Sequence, residues 1–142
     1  MSRDNTITRN FEGKKALLVD DDIDFLEQID FGVREMGFQT VRAESQAEAE
    51  KMIETEQYDV AVFDLMMENE DSGFVLAYKS KKKNPDTPVV IVTSVSNETG
   101  MKFDAATEEA RDWIKADIML DKLLRFEQLR QAIETLLPER NG

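Results

Sequence analysis

The segment Tyr58-Asp59-Val60-Ala61-Val62-Phe63-Asp64-Leu65-Met66-Met67 decides the fold. Its apolar run is short and rich in Val and aromatic residues, which predicts a buried strand over residues 58–63. The run ends abruptly at Asp64, at the predicted end of that strand. A carboxylate there is either a solvated strand end or part of a reactive site, and the rest of the chain must distinguish the two.

Four other segments predict strands, and helical segments separate most of them. The predicted strands are 14–19, 38–43, 88–93 and 118–120. The predicted helices run from a cap at Asp22 to a stop at Gly37, from a capping box of Ser45 and Glu48, over 74–83, over 107–113, and from Phe126 to a stop at Pro138. This alternation predicts an α/β fold in which helices cover both faces of a parallel sheet.

Polar residues follow four of these strands: Asp20-Asp21-Asp22, Asp64, Thr93-Ser94 and Asp121-Lys122. In open parallel sheets the ligand crevice lies beyond the carboxyl ends of the strands, so we expect these groups to converge on one edge. Carboxylates brought together repel one another unless a cation neutralises them, and Mg²⁺ typically takes one or two carboxylates and keeps several waters. Beside such an ion, Asp64 could act as a nucleophile toward phosphorus. Lys122 would offset phosphoryl charge, and the Thr93 hydroxyl could donate to a phosphoryl oxygen.

Composition excludes several other kinds of chemistry. The 142 residues suit one domain, which we place at 14–137 between tails at 1–13 and 138–142. The net charge of −12 argues against nucleic-acid binding. The chain has no cysteine and no histidine, so it lacks thiolate nucleophiles, disulfides and a histidine base or phosphocarrier of its own. No apolar run approaches a membrane span, and residues 1–13 lack the apolar core of a signal peptide, so a cytoplasmic location is expected.

The quoted segments, together with Val19-Asp20-Asp21-Asp22, Pro88-Val89-Val90-Ile91-Val92-Thr93-Ser94 and Lys122, resemble the receiver domain of two-component response regulators. The resemblance covers roughly residues 14–137. It implies a flavodoxin-like, doubly wound sheet of five parallel strands in the order 2-1-3-4-5. It also implies these roles: Asp64 as phosphoacceptor and metal ligand, Asp21 as direct Mg²⁺ ligand, Asp20 holding the ion through water, Met66 supplying a backbone carbonyl to the metal, Thr93 as switch hydroxyl and Lys122 as phosphoryl-binding lysine.

The resemblance further implies that a histidine kinase or phosphotransfer protein donates the phosphoryl group. The absence of histidine fits an acceptor whose donor lies in another chain. Such a domain is not an enzyme in the ordinary sense, although it promotes its own phosphorylation and, in some cases, dephosphorylation. Because no output domain follows residue 137, we expect a stand-alone receiver, monomeric or weakly dimeric, that signals through an unidentified downstream protein.

The sequence departs from the family pattern at several positions. Glu68 stands where proline is usual, Ser72 where glycine is common, Met119 where a switch aromatic is usual, and Leu123 where proline follows the lysine. The segment between Thr93 and Lys122 is longer than is typical, and Lys115 is a rival for the lysine role. These departures support an alternative, a phosphorylation-independent interaction module on the same fold. An aspartate-based phosphohydrolase is disfavoured, because the second acid that it needs would stand at Met66.

Overall fold

The computed structural model describes residues 11–69, 71–93, 116–121 and 126–137. These residues form one sheet of five parallel strands in the order β2-β1-β3-β4-β5. The strands are β1 (Lys15–Val19), β2 (Gln39–Ala43), β3 (Val60–Asp64), β4 (Val89–Thr93) and β5 (Ile118–Asp121). The helices are α1 (Ile23–Glu35), α2 (Gln46–Thr55), α3 (Ser72–Lys83) and α4 (Phe126–Leu136). The predicted fold class and strand order are confirmed.

Side chains of the central strands point alternately to the two faces of the sheet, and a separate hydrophobic core lies on each face. From β1, Ala16 and Leu18 pack on the face covered by α1 and α4. Leu17 and Val19 pack on the face covered by α2 and α3. Every residue of β3 and β4 is buried, as expected for strands whose two faces are both covered.

The start of β3 differs from the prediction, which began this strand at Tyr58. Asp59 lies before the strand because its carboxylate accepts a hydrogen bond from the Lys15 backbone N–H at 2.8 Å, while its own N–H donates to the Lys15 carbonyl. Asp64 is the last residue of the strand rather than the residue after it. Helix α3 likewise begins at Ser72, two residues before the predicted start.

Side chains cap two of the helices as the sequence predicts. The Asp22 carboxylate accepts a hydrogen bond from the Phe25 N–H at the start of α1. The Ser45 hydroxyl accepts from the Glu48 N–H at the start of α2. The other half of the predicted capping box is wrong in detail, since the Glu48 carboxylate accepts from the N–H of Glu44, one residue before the cap.

The packed part of the chain begins by Phe11, ahead of the expected domain boundary at residue 14. The Phe11 side chain is buried and its ring stacks on that of Phe38, with 5.0 Å between centroids. Its backbone N–H donates to the Met36 carbonyl. Gly37 has a φ of +111°, and a side chain there would meet the Glu12 backbone at 2.7 Å, so this turn requires glycine. The remaining domain limits stay predictions.

A buried carboxylate joins α1 to the edge strand β2. Asp30 is 5% exposed and accepts hydrogen bonds from the Thr40 hydroxyl at 2.7 Å, Arg42 Nη1 at 2.9 Å and Arg34 Nε at 3.2 Å. Burial alone would raise the pKa of Asp30. The hydrogen bonds from Thr40 and Arg42 and the charges of the two arginines outweigh burial, so the pKa lies below its usual range.

Several predictions fall outside the described residues: the helix over 107–113, Ser94, Lys115, Lys122 and Leu123. Among the helices that are described, none is long and apolar enough to cross a membrane.

Candidate metal and phosphoryl site

The strand register brings the carboxylates of β1 and β3 together. Val19 lies opposite Phe63, so the residues that come next in the two parallel strands, Asp20 and Asp64, reach the same edge of the sheet. The two carboxylates lie at the carboxyl ends of β1 and β3. In the strand order β2-β1-β3 the chain adds β2 on one side of β1 and β3 on the other, and this switch point is the usual ligand crevice of such sheets. The topology alone therefore explains why residues 44 positions apart share a site.

Three carboxylates meet at this edge and form what we call the acidic cluster: Asp20, Asp21 and Asp64. One oxygen from each lies within 4.8 Å of the oxygens of the other two. Asp20 is fully buried, Asp64 is 5% exposed and Asp21 is exposed. Asp20 Oδ1 also accepts a hydrogen bond from the Asp22 backbone N–H at 2.8 Å, which fixes the turn that leads into α1.

The donor set of the acidic cluster fits a hard divalent cation. Mg²⁺ prefers oxygen ligands, and carboxylates held this close repel one another unless positive charge lies between them. The cluster is open on the side of Asp21, which leaves room for the waters that Mg²⁺ retains. Asp20, Asp21 and Asp64, three of the four predicted ligands, are therefore brought together.

The start of α3 presses against the backbone of Asp64. The Leu65 N–H donates to the Val92 carbonyl, and the Gly73 N–H donates to the Leu65 carbonyl at 2.8 Å. A side chain at residue 73 would lie 2.8 Å from the Asp64 carbonyl oxygen and 2.7 Å from the Leu65 Cα. Gly73 therefore permits the close approach, whereas Ser72, at the position where glycine is common, is buried and hydrogen-bonded.

The other predicted site residues divide into described and undescribed ones. Thr93 is the last residue of β4, 4% exposed, and pairs with Asp121 in the neighbouring strand. Met66 lies just beyond β3 with 38% of its surface exposed. Lys122 directly follows Asp121 in the sequence but lies outside the described residues, as does its rival Lys115.

Sequence reasoning gave Glu68 no structural role, although it marked this residue as a departure from the family pattern. Both Glu68 carboxylate oxygens accept from the Gln46 backbone N–H, at 2.8 and 3.1 Å. This bond is the largest cause that lowers the pKa of Glu68 below its ordinary value. One sequence feature could have indicated this contact. Gln46 follows the helix cap Ser45, and N–H groups at the start of a helix need acceptors from outside the helix.

Comparison with known proteins agrees with this geometry. The family model described as "Response regulator receiver domain" matches residues 16–134. The chain belongs to the response regulator receiver domain family. The resemblance proposed from the sequence is thus confirmed.

The relatives include both sequences and solved structures. The response regulator protein PilR of Pseudomonas aeruginosa is 27% identical over 128 residues, which is 90% of this chain and 27% of PilR. The receiver domain of the Francisella response regulator 1452 is 28% identical, with a TM-score of 0.70 over 87% of this chain and 96% of that one. The response regulator TrrA of Thermotoga maritima, solved in complex with Mg²⁺ and BeF, is 23% identical, with a TM-score of 0.70 over 87% and 99% of the two chains.

This chain spans between 17% and 34% of the length of the curated relatives that it matches. Their names include a transcriptional regulatory protein, GlrR of Escherichia coli, and a heme response regulator, HssR of Staphylococcus saprophyticus. These relatives are therefore longer proteins, and the match covers one part of each.

Proposed function

We propose that this receiver domain accepts a phosphoryl group on Asp64 in a Mg²⁺-dependent reaction and signals through contacts with another protein. The observation that carries the proposal is the acidic cluster, in which the buried Asp64 lies within 4.8 Å of two further carboxylates. A carboxylate held beside other carboxylates is suited to share a metal ion with them.

The donor is the phosphohistidine of a histidine kinase or phosphotransfer protein. One carboxylate oxygen of Asp64 attacks phosphorus, and the bond between phosphorus and the donor imidazole nitrogen breaks. The electron pair of that bond stays on the imidazole, which takes a proton from solvent. This chain has no histidine, so it supplies the acceptor alone.

Asp20 and Asp21 would hold Mg²⁺ together with Asp64 and the backbone carbonyl of Met66. When bound, Mg²⁺ supplies positive charge that stabilises the transferring phosphoryl group. Thr93, at the end of the neighbouring strand β4, would donate a hydrogen bond from its hydroxyl to a phosphoryl oxygen after transfer. Lys122 carries the second cationic role in this proposal, on the strength of its sequence position after Asp121.

The test is incubation of the whole protein with acetyl phosphate and Mg²⁺, followed by intact-mass measurement. We expect the wild type to gain one phosphoryl group, and EDTA to prevent this. Asp64→Asn should gain none, and Asp21→Asn should need much more Mg²⁺ for the same yield. Asp71→Asn is the matched control, because it removes an exposed carboxylate from the same loop and should be labelled like the wild type.

Failure of the wild type to gain a phosphoryl group from acetyl phosphate, and to bind beryllofluoride with Mg²⁺, would overturn the proposal. Labelling of Asp64→Asn at the wild-type level would overturn the assignment of the acceptor.

The alternative, a phosphorylation-independent interaction module, is favoured by one described residue. Met119 is half-buried in β5 beside Ile91 and packs against the core on the α2–α3 face. A methionine packed there lacks the polar hydroxyl of a tyrosine switch. The two functions differ in one measurement, because a module of this kind would bind its partner equally with and without beryllofluoride.

A further inference from the structure

We propose that Glu68 and Gln46 form a clasp that holds the β3–α3 loop in the position that the acidic cluster needs to bind Mg²⁺. Both would be positioning residues, not metal ligands. The inference rests on the proposed function, because this loop follows directly from Asp64 and carries Met66.

The first half of the clasp joins the loop to a helix N-terminus. Glu68 lies in the loop, and both of its carboxylate oxygens accept from the Gln46 N–H, at 2.8 and 3.1 Å. Gln46 is the first residue of α2, so no carbonyl within that helix can accept its N–H. The positive end of the helix dipole also favours a carboxylate at this place.

The second half uses the side chain of the same glutamine. Gln46 Oε1 accepts from the Ser72 hydroxyl at 2.7 Å and from Asn69 Nδ2 at 3.1 Å. Ser72 is fully buried at the first turn of α3, and its hydroxyl also accepts from the Asn69 backbone N–H. Gln46 therefore ties the middle of the loop and the start of α3 to α2.

The clasp offers a physical account of glutamate at the position where proline is usual. Proline would restrict a loop by fixing its own φ, without any partner. Glu68 restricts the same loop by a contact to a distant helix. The loop follows Asp64 and carries Met66, so its position sets that of the Met66 backbone carbonyl, the fourth proposed ligand of Mg²⁺.

The test is calorimetric titration of the whole protein with Mg²⁺ alone, without any phosphodonor. We expect Glu68→Ala to raise the dissociation constant for Mg²⁺ by about threefold to fivefold, less than the roughly tenfold cost of removing a group bonded directly to a ligand, because Glu68 is exposed and holds the loop rather than a ligand. Glu68→Pro should recover part of this loss, because proline also limits the loop. Unfolding curves of each variant report any general loss of stability separately.

Two controls separate the clasp from simpler effects. Asp71→Asn removes a negative charge from the same loop, where no side-chain cap bond is formed, and should leave the dissociation constant within about twofold of wild type. Ser45→Ala removes the cap of α2 without touching the loop, and should lower stability but not Mg²⁺ affinity. A change of more than about twofold in either control would overturn the clasp in favour of charge or helix stability.

A second comparison isolates the Gln46 N–H. Proline is well tolerated at the first position of a helix, so Gln46→Pro removes this donor and keeps α2. Gln46→Ala keeps the donor and removes only the side-chain half of the clasp. Glu68→Ala should weaken Mg²⁺ binding further in the Gln46→Ala background, and have little further effect in the Gln46→Pro background.

Unchanged Mg²⁺ affinity in Glu68→Ala, with a wild type that is phosphorylated on Asp64, would overturn the clasp and leave the proposed function standing. A wild type that binds Mg²⁺ in a Glu68-dependent manner but accepts no phosphoryl group would support the clasp and overturn the proposed function.

Discussion

Asp30 and Asp64 are buried to the same extent, each 5% exposed, but the neighbours described for the two carboxylates differ. Asp30 accepts hydrogen bonds from two arginines and a threonine hydroxyl. Asp64 lies within 4.8 Å of two other carboxylates. The first carboxylate serves the fold, because its surroundings favour its charge. The second lies beside two carboxylates with which it could share a cation, as is expected of a binding site.

The largest expected effect on the free energy of unfolding is that of replacing Asp30. Asp30→Asn should lower the free energy of unfolding by about 2 kcal/mol, because it removes the charge that two arginines face. Urea denaturation at neutral pH measures the change. Glu27→Gln is the control: it removes the exposed carboxylate 3.2 Å from Arg42 and should cost at most about 0.5 kcal/mol. If the two variants lowered the free energy of unfolding equally, the buried Asp30 would stabilise the protein no more than the exposed Glu27 does.

Replacing the aspartate of the acidic cluster by asparagine should change the free energy of unfolding in the opposite direction. In Mg²⁺-free buffer, Asp64→Asn should raise the free energy of unfolding by about 1 kcal/mol, because it removes repulsion from Asp20 and Asp21. Saturating Mg²⁺ should stabilise the wild type and have little effect on the variant. Thermal unfolding with and without Mg²⁺ measures both. A loss of stability in Asp64→Asn without Mg²⁺ would contradict the contrast drawn between the two aspartates.

The smallest expected effect is the pH dependence of the Asp30 contribution. The pKa of Asp30 is lowered in the folded protein, so its stabilisation is fully present above its unfolded pKa of about 3.9 and is lost as pH falls through the lower folded value. The difference in unfolding free energy between wild type and Asp30→Asn should therefore be constant at neutral pH and shrink below about pH 4. A difference that grows on acidification would show that the pKa is raised instead.

The sequence predicted the sheet and the acidic cluster because both depend on local patterns and one topological rule. Apolar runs such as residues 60–63 identify the strands, and the carboxyl ends of parallel strands must share an edge. Asp22 and Ser45 were recognised as helix caps for the same reason, since the pattern lies within one turn. The resemblance to receiver domains then supplied the strand order, which local patterns do not contain.

The features missed from the sequence join residues that are far apart in the chain. Nothing in the local pattern pairs Glu68 with Gln46, or Asp30 with Arg42 on the next strand. Phe11 is a single aromatic among polar neighbours, so periodicity gave no reason to place it in the core. Such contacts depend on how two elements are oriented after packing, which a sequence pattern does not encode.

The stacked pair of Phe11 and Phe38 also fixes where this domain can be cut. Its first strand begins at Lys15, but the ring that closes one end of the core belongs to a residue four positions earlier. A shortened chain starting at the strand would leave the face of Phe38 open to water and the Met36 carbonyl without its donor. The minimal folding unit therefore includes a turn that contributes nothing to the sheet.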